Sequence, residues 1–248
     1  ILTYHCLDDY DYFYNQIKYI EPIVFKKSDL IIVTAQLLAE KALKHSNSKN
    51  IHLIPNGVEL EHFRKVLHNK FVIPEDIANL KKPLIGYVGT IADWMDFDIL
   101  EELHNELEAT IVLVGPVESK KAILMQKEGK IVLLNKKPYK DLPNYLHYFN
   151  VCIIPFVDNY LTRAVDPNKI YEYFAAGKEV VSTPLPPLKR FSKYISLESD
   201  PIKFTLAVKK ILDNPTSFEK SKMLSLEMEN HSWKARAEKI MDIFKENL

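Results

Sequence analysis

The chain has 248 residues, of which 47% are hydrophobic and 27% are charged, an ordinary balance for a globular protein. Lysine and arginine together number 33, as do aspartate and glutamate. The formal net charge is therefore zero, and the chain lacks the net positive charge that would favour a nucleic-acid partner. No apolar run approaches the roughly 20 residues that a membrane-spanning helix needs. Two cysteines, Cys6 and Cys152, lie far apart without metal-ligand spacing, which predicts reduced thiols in a cytoplasmic protein.

Strand-like and helix-like segments alternate along the chain. The strand candidates are short, rich in Ile and Val, and without apolar–polar alternation, which predicts parallel strands covered on both faces. In chain order they are Leu30–Thr34, Ile51–Ile54, Leu84–Val88, Thr110–Val114, Ile131–Leu134, Val151–Ile154, Glu179–Ser182 and Tyr194–Leu197. Helical patterns between them, such as 97–107, 139–149 and 201–212, indicate repeated βα units.

The polar stretch 74–83 predicts a boundary between two Rossmann-like domains. Residues 1–78 would form the end of a first, acceptor-side domain, and residues 79–212 a second, nearly complete one. Residues 213–248 follow, with Trp233, Ala237, Ile240, Met241, Phe244 and Leu248 along one helical face. Because the chain starts with Ile1 inside a strand-like segment, and the first domain is too short for its type, we expect a missing N-terminal portion.

Residues 167–183 form the most informative stretch. Pro167 suits the first turn of a helix, and Gly177 suits the left-handed residue after the helix end. This helix carries the carboxylate Glu172, with Lys169 one turn earlier, and a buried strand follows at once. A carboxylate at the open edge of such a unit is well placed to hold sugar hydroxyls, although an amphipathic surface helix with an ion pair explains the same residues.

Three further segments carry polar groups near strand ends. Gly89 and Thr90 follow a buried strand, where backbone N–H groups can approach an anion. Lys136 and Lys137 follow the next strand but one, and a solvated lysine-rich loop explains them equally well. The N-terminal run Tyr-His-Cys-Leu-Asp-Asp places Asp8 and Asp9 at a strand end; proton transfer, helix capping and metal binding all remain open for them.

These segments together resemble the retaining GT-B glycosyltransferases of the "glycosyl transferases group 1" type. The resemblance rests on the Gly-Tyr-Val-Gly-Thr-Ile-x-x-Trp-x-Asp segment at 86–96, the Pro-Asn-Gly-Val turn at 55–58 and the Tyr-Glu-Tyr-Phe-Ala-Ala-Gly segment at 171–177. It implies an α/β, GT-B-like fold with two Rossmann-like domains, parallel sheets and a C-terminal helix that crosses back onto the N-terminal domain. The resemblance extends from about residue 4 to about residue 244.

The resemblance also implies roles for individual residues. A nucleotide-diphosphate sugar, with UDP-sugar as the expected donor, would contact Glu172 through its ribose. Gly89, Thr90, Arg163 and Lys169 would meet its diphosphate, and the backbone at Lys136 and Lys137 its base. Asp8 and Asp9 would act on the acceptor side of the cleft. No metal or other cofactor is expected.

The sequence departs from the wider family at two places. Many relatives carry a second glutamate eight residues before the helix glutamate, and this chain has Ala164 there. Many also carry Arg and Lys after the first glycine loop, where this chain has Asp93 and Asp96. The residue that faces the transferred sugar is therefore unassigned, and Asp166 is the candidate substitute.

The resulting hypothesis is transfer of a sugar, with retention, to a hydroxyl of a glycan or glycolipid acceptor in polysaccharide assembly. The alternatives are a sugar-nucleotide epimerase on the same scaffold, and a non-catalytic nucleotide-sugar-binding module or subunit of a split enzyme. Expected partners are the nucleotide sugar, the acceptor and a complementing N-terminal domain, but no nucleic acid. The expected location is cytoplasmic, with peripheral association at the inner face of the membrane.

Overall fold

The computed structural model describes residues 1–10 and 16–247. Leu248, the last residue of the predicted helical face, lies outside the described residues. Among the described residues, no helix combines the length and the apolar character that crossing a bilayer requires.

A parallel sheet of three strands opens the described part of the chain. Its strands β1 (Thr3–Cys6), β2 (Leu30–Val33) and β3 (Ile51–Leu53) are adjacent in that order. Helices α1 (Ile17–Lys27) and α2 (Gln36–His45) lie between them in the chain. We call residues 1–54 the first unit.

A second parallel sheet contains six strands, β4 to β9. Their bounds are Leu84–Val88, Thr110–Val114, Val132–Leu134, Val151–Ile154, Val180–Ser182 and Ser196–Leu197. Their spatial order is β6–β5–β4–β7–β8–β9, which is the order of a doubly wound Rossmann sheet. From β4 the chain adds strands first on one side, to β6, and then on the other side, starting with β7. The boundary between β4 and β7 is the topological switch point, where ligands bind in this architecture. We call this sheet and its helices the second unit.

Ten further helices occur in the described part of the chain. Their bounds are α3 Leu60–His68, α4 Glu75–Ala78, α5 Phe97–Glu106, α6 Lys120–Lys127, α7 Leu142–Tyr148, α8 Tyr160–Ala164, α9 Asn168–Ala175, α10 Pro201–Asp213, α11 Phe218–Glu227 and α12 Trp233–Asn247. Short 3₁₀ turns cover 139–141, 186–191 and 229–231. The predicted strands agree with the observed ones to within two residues at each end, because buried β-branched runs define strands well.

The last helix crosses back to the first unit. Ile243 of α12 is buried together with Leu30 and Ile32 of β2. The Nδ2 group of Asn50, next to β3, donates a hydrogen bond to Oδ1 of Asn247 at 2.5 Å. The predicted crossover helix is thus confirmed. The preceding helix α11 behaves differently, since its Leu224 belongs to the core of the second unit.

The connection between the sheets also packs on the second unit. Phe63 and Val66 of α3 and Ile77 of α4 are buried in the same apolar cluster as the strands of the second sheet. The sequence pattern places residues up to 78 in the first domain. In packing terms the chain leaves the first unit near Asn56, because the apolar face of α3 is covered by the second unit.

One residue of the second unit is buried in the core of the first. Ala164, at the end of α8, is fully buried with Cys6, Ala35, Leu38 and other apolar side chains of the first unit. The two units are therefore joined by direct apolar packing between α8 and α2 as well as by the chain itself.

Candidate active site

The switch point between β4 and β7 is lined by a glycine loop. Gly89 follows β4 with φ of 146°, a left-handed value that favours glycine. Its carbonyl oxygen lies where a side chain on Gly115 would be, so the loops after β4 and β5 touch through their backbones. The N–H of Gly89 donates to the carbonyl of Val114 at 2.8 Å and is engaged in the sheet. Among the described residues the N–H of Thr90 has no partner, so Thr90 carries the donor available to an anion.

Lys169 lies directly against this glycine. A side chain built on Gly89 would meet Cε and Nζ of Lys169 at 2.2 and 2.6 Å. The ammonium also lies 5.3 and 5.6 Å from the ring centres of Tyr87 and Phe156. No carboxylate of the described residues lies within ion-pair distance of it, so Lys169 and Glu172 do not form the direct pair that the sequence left open. Burial lowers the pKa of Lys169, and the charges of Glu172 and Asp8 oppose this.

Glu172 is held in place by the tyrosines on either side of it. The hydroxyl of Tyr173 accepts a hydrogen bond from the N–H of Val88 at 2.8 Å, and the hydroxyl of Tyr171 donates to Asp166. Both tyrosines are buried, and they fix α9 against the end of β4. The side chain of Glu172 itself makes no hydrogen bond with the described residues. Burial raises the pKa of its carboxyl, and Lys169 opposes the rise.

The two N-terminal aspartates have different surroundings. Asp8 is partly buried and faces the second unit: burial raises its pKa, Asp166 raises it further, and Lys169 opposes both. Asp9 is buried and pairs with Lys41 at 2.7 Å, and Lys41 also pairs with Glu21 at 2.5 Å. Of the two, Asp8 has the carboxylate that approaches Lys169.

Both carboxylate oxygens of Asp166 have partners. Its Oδ2 accepts hydrogen bonds from the N–H of Asn56 at 2.7 Å and from the hydroxyl of Tyr171 at 2.8 Å. Its Oδ1 pairs with the guanidinium of Arg190, which also donates to the Tyr171 hydroxyl. No sequence signal identified Arg190, because its loop carries no recognisable motif. Asn56 and Tyr171 lie inside motifs, but their partner does not follow from the spacing.

The remaining predicted residues lie apart from the glycine loop. Lys137 pairs with Asp76 at 2.7 Å, whereas Lys136 is exposed and able to reach solvent or ligand. Arg163 forms a two-point pair with Asp158, at 2.5 Å from Nε to Oδ1 and 2.8 Å from a terminal nitrogen to Oδ2. Both residues of that pair are about half exposed and line a cleft of about 800 Å³ between the units.

An aromatic pair beside Glu172 was not expected. The rings of His62 and Tyr139 stack with centres 4.7 Å apart and an interplanar angle of 14°. The Tyr139 side chain is 46% exposed, and the charge of Glu172 contributes to raising its pKa, after burial. An exposed ring therefore follows the Lys136–Lys137 loop, close to the carboxylate.

No cluster of three or more metal-ligating side chains occurs among residues 1–10 and 16–247. In this part of the chain, the switch point offers the ammonium of Lys169, the N–H of Thr90 and the carboxylates of Glu172 and Asp8. That combination suits a ligand with both a diphosphate and hydroxyl groups.

The sequence signature described as "Glycosyl transferases group 1" matches residues 82–214, more than half of the chain. The chain belongs to the group 1 glycosyltransferase family. The matched range covers the second sheet and includes Gly89, Lys169 and Glu172.

One curated relative of this family member is the Bacillus subtilis (strain 168) protein named "Putative teichuronic acid biosynthesis glycosyltransferase TuaH". The two sequences are 28% identical in an alignment 207 residues long, which covers 79% of this chain and 51% of that protein. The chain therefore spans about half the length of the curated relative it matches.

Solved glycosyltransferase structures share the fold. HepE of Anabaena, solved with UDP and glucose, has a TM-score of 0.71 and 14% identity, covering 98% of this chain and 71% of HepE. Sucrose-phosphate synthase of Thermosynechococcus elongatus has a TM-score of 0.67 and 18% identity, covering 98% of this chain and 66% of that enzyme. These likenesses confirm the predicted GT-B fold class.

Proposed function

We propose that this group 1 family member transfers a sugar from a nucleotide-diphosphate sugar to a hydroxyl of a glycan or glycolipid acceptor, with retained configuration. The observation that carries the proposal is the position of the Lys169 ammonium. It packs against Gly89 at the switch point, close to Glu172, and forms no ion pair with a carboxylate of the described residues. HepE, which shares the fold, was solved with UDP and glucose bound, which supports a UDP-sugar as donor here.

In the proposed reaction, the acceptor hydroxyl gives its proton to Asp8 and its oxygen bonds to the anomeric carbon. The bond between that carbon and the diphosphate breaks, and negative charge develops on the diphosphate. Lys169 and the N–H of Thr90 would stabilise that charge, since a preorganised cation and donor are most effective in a partly buried site. Glu172 would accept hydrogen bonds from the ribose hydroxyls. The Lys136–Lys137 loop would meet the base. The proposed reaction uses no metal ion and no other cofactor.

The acceptor would enter between the units. Asp8 is the carboxylate of the first unit nearest to Lys169, and we assign it the contact with the acceptor hydroxyl. Its raised pKa suits a group that exchanges a proton with a hydroxyl. Asp9, which pairs with Lys41, would hold the strand end.

The first experiment is calorimetric titration with UDP, GDP, ADP and CMP, with Glu172→Ala and Glu102→Ala compared. Glu102 lies on α5 in the same unit, away from the switch point. We expect one nucleotide to bind selectively, with its affinity reduced at least about tenfold by Glu172→Ala and unchanged by Glu102→Ala. Equal affinity of wild type and Glu172→Ala would contradict the assigned donor site.

A second candidate function is nucleotide-sugar binding without transfer, as a module or subunit of a split enzyme. It is favoured by Ala164, which is buried between the units where many relatives carry a glutamate. Incubation with donor and acceptor separates the candidates: sugar transfer supports the transferase, epimerised donor supports the epimerase, and binding alone supports the module.

We also propose peripheral association with an anionic membrane, through a surface on α1 and the end of α2. Tyr19, Ile20 and Ile23 of α1 are 69, 52 and 54% exposed, which is unusual for large apolar side chains on neighbouring turns. Lys26, Lys27 and Lys44 line the adjoining groove, which has no acidic residue among its described lining. Apolar side chains beside lysines match the interface of an anionic bilayer.

Vesicle flotation tests this association. Vesicles of phosphatidylglycerol should retain the protein, and vesicles of phosphatidylcholine should not. The double variant Ile20→Ser/Ile23→Ser should abolish retention, whereas Ile202→Ser/Leu206→Ser, two equally exposed apolar residues of α10, should leave it intact. If both double variants bind the phosphatidylglycerol vesicles as well as wild type does, the proposed surface is refuted.

A further inference from the structure

The segment that joins the two units is bonded on both of its sides. The N–H of Asn56 donates to the Asp166 carboxylate, and the Nδ2 group of Asn56 donates to the Asp166 carbonyl, both at 2.7 Å. On the other side, the Asn56 carbonyl accepts from Nε of Arg236 at 3.1 Å. Val58 exchanges backbone hydrogen bonds with His231 and Trp233, both at 3.0 Å.

Gly57 is required by this close packing. A side chain there would lie 2.9 Å from the His231 carbonyl oxygen and 3.1 Å from the Trp233 ring. The φ angle of Gly57 is not positive, so the Asn-Gly pair does not form the tight turn that its sequence suggests. The glycine leaves room for the C-terminal segment to approach the connection.

Asp166 is anchored more strongly than Asn56. It is 2% exposed, and Arg190 and Tyr171 hold its carboxylate within the second unit. A buried carboxylate that pairs with a guanidinium and accepts two further hydrogen bonds is held in one orientation. Its two hydrogen bonds to Asn56 therefore tie the connection to a fixed point of the second unit.

We propose that the Asn56–Asp166 pair, in which Asn56 donates both hydrogen bonds, is an interdomain clasp that sets how the first unit faces the second. The clasp lies between the end of β3 in the first unit and the start of α9 in the second, so its closure fixes the approach of Asp8 to Lys169. Asp166 is then a positioning residue and not the group that faces the transferred sugar. Only the catalytic consequence of the clasp rests on the proposed transferase function.

A distance measurement tests the clasp without any substrate. Spin labels would be attached at Lys44→Cys in α2 and Lys209→Cys in α10, because both native cysteines are buried and would not react. Asn56→Ala removes one of the two clasp bonds, and Asn56→Asp replaces that donor by a carboxylate beside Asp166. We expect the distance distribution to widen in the order wild type, Asn56→Ala, Asn56→Asp.

Asn150→Ala is the matched control. The Oδ1 of Asn150 accepts a hydrogen bond from the N–H of Leu84 at 2.8 Å, entirely within the second unit. The Asn150→Ala variant should lower the midpoint of thermal unfolding, as Asn56→Ala does, but should leave the distance distribution unchanged. An unchanged distribution in both Asn56 variants, or equal widening in Asn150→Ala, would overturn the clasp.

Kinetics then test the positioning role. The residues proposed to bind the donor all lie in the second unit, so Asn56→Ala should keep the nucleotide Kd within about twofold of wild type. Turnover at saturating donor should fall about tenfold or more, because the acceptor side is misplaced. A large loss of nucleotide affinity with unchanged turnover would instead show that Asn56 serves the donor site, and would overturn the positioning role.

Discussion

The ammonium of Lys169 occupies the space that a side chain at position 89 would need, 2.6 Å from where that side chain would begin. The glycine and the lysine are therefore two parts of one feature. The glycine lets the lysine lie flat against the end of β4, and the lysine brings positive charge to the backbone there. Neither residue suffices alone, since the loop after β4 supplies the aspartates Asp93 and Asp96 and no cation of its own.

Gly89→Ala should abolish most nucleotide binding. The new methyl group would collide with Lys169, and φ of 146° would strain any residue with a side chain. We expect the affinity for UDP to fall at least about tenfold by calorimetry. Gly129→Ala is the control, because Gly129 also has positive φ, of 74°, but open space around it. A similar loss in both variants would point to general destabilisation and against the collision.

Lys169→Met should weaken diphosphate binding and change its pH dependence. Because burial lowers the pKa of Lys169, its charge in the free protein is lost at a lower pH than that of an ordinary lysine. The affinity of wild type for UDP should fall as pH rises towards the ordinary lysine pKa of 10.5, and that of Lys169→Met should stay low and flat. The exposed residue Lys120 gives the control Lys120→Met, which should follow wild type. Parallel pH profiles for wild type and Lys169→Met would refute the assigned role.

Ala164→Glu should destabilise the protein and not restore the glutamate of its relatives. Ala164 is fully buried among apolar residues of the first unit, so a carboxylate there would lose its hydration without gaining a partner. We expect the free energy of unfolding to fall by at least about 2 kcal/mol in urea denaturation. Ala78→Glu, at an exposed helical position, should change it little. Equal stability of both variants would mean that the units do not pack at Ala164 in solution.

His231 should make the protein sensitive to mild acid. Burial, with Arg236 and Arg190 nearby, lowers its pKa from 6.5 to about 4. The unfolded chain therefore binds a proton at His231 at higher pH than the folded chain does. The stability that depends on neutral His231 is fully present above pH 6.5 and is lost as pH falls from 6.5 towards about 4. His231→Gln should show a smaller loss of urea midpoint between about pH 7 and about pH 5 than wild type. His68→Gln, at an exposed histidine, should lose as much as wild type does.

The sequence predicted the regular elements well because burial alone specifies them. Leu84–Val88, Thr110–Val114 and Val151–Ile154 were predicted to the residue, since all of their residues but Thr110 are buried. Helix α4 was missed, because Glu75–Ala78 is a single turn inside a stretch that reads as polar linker. A single turn carries no periodicity from which a helix could be recognised.

The candidate site could be recognised from its motifs, but its long-range hydrogen bonds and ion pairs could not. Glu172, Lys169 and Gly89 follow from local patterns, and the structure brings them to one switch point. The partner of Asn56 lies 110 residues away in the sequence, and Arg190 is in a loop without a motif. Such pairings depend on how the second unit folds against the connection, which no local pattern contains. The diphosphate role of Arg163 stays a prediction, and its pairing with Asp158 likewise could not be read from a local pattern.

The crossing of α12 has a consequence for the order in which the protein matures. The hydrogen bond from Asn50 to Asn247 spans 197 residues, and Leu30 and Ile32 of β2 are covered by Ile243. While the chain is being synthesised, the first unit emerges early but keeps this apolar strand face open to water. The second unit, whose strands are all contiguous in the chain, can fold in the meantime. The first unit is therefore made before the second unit but completed after it.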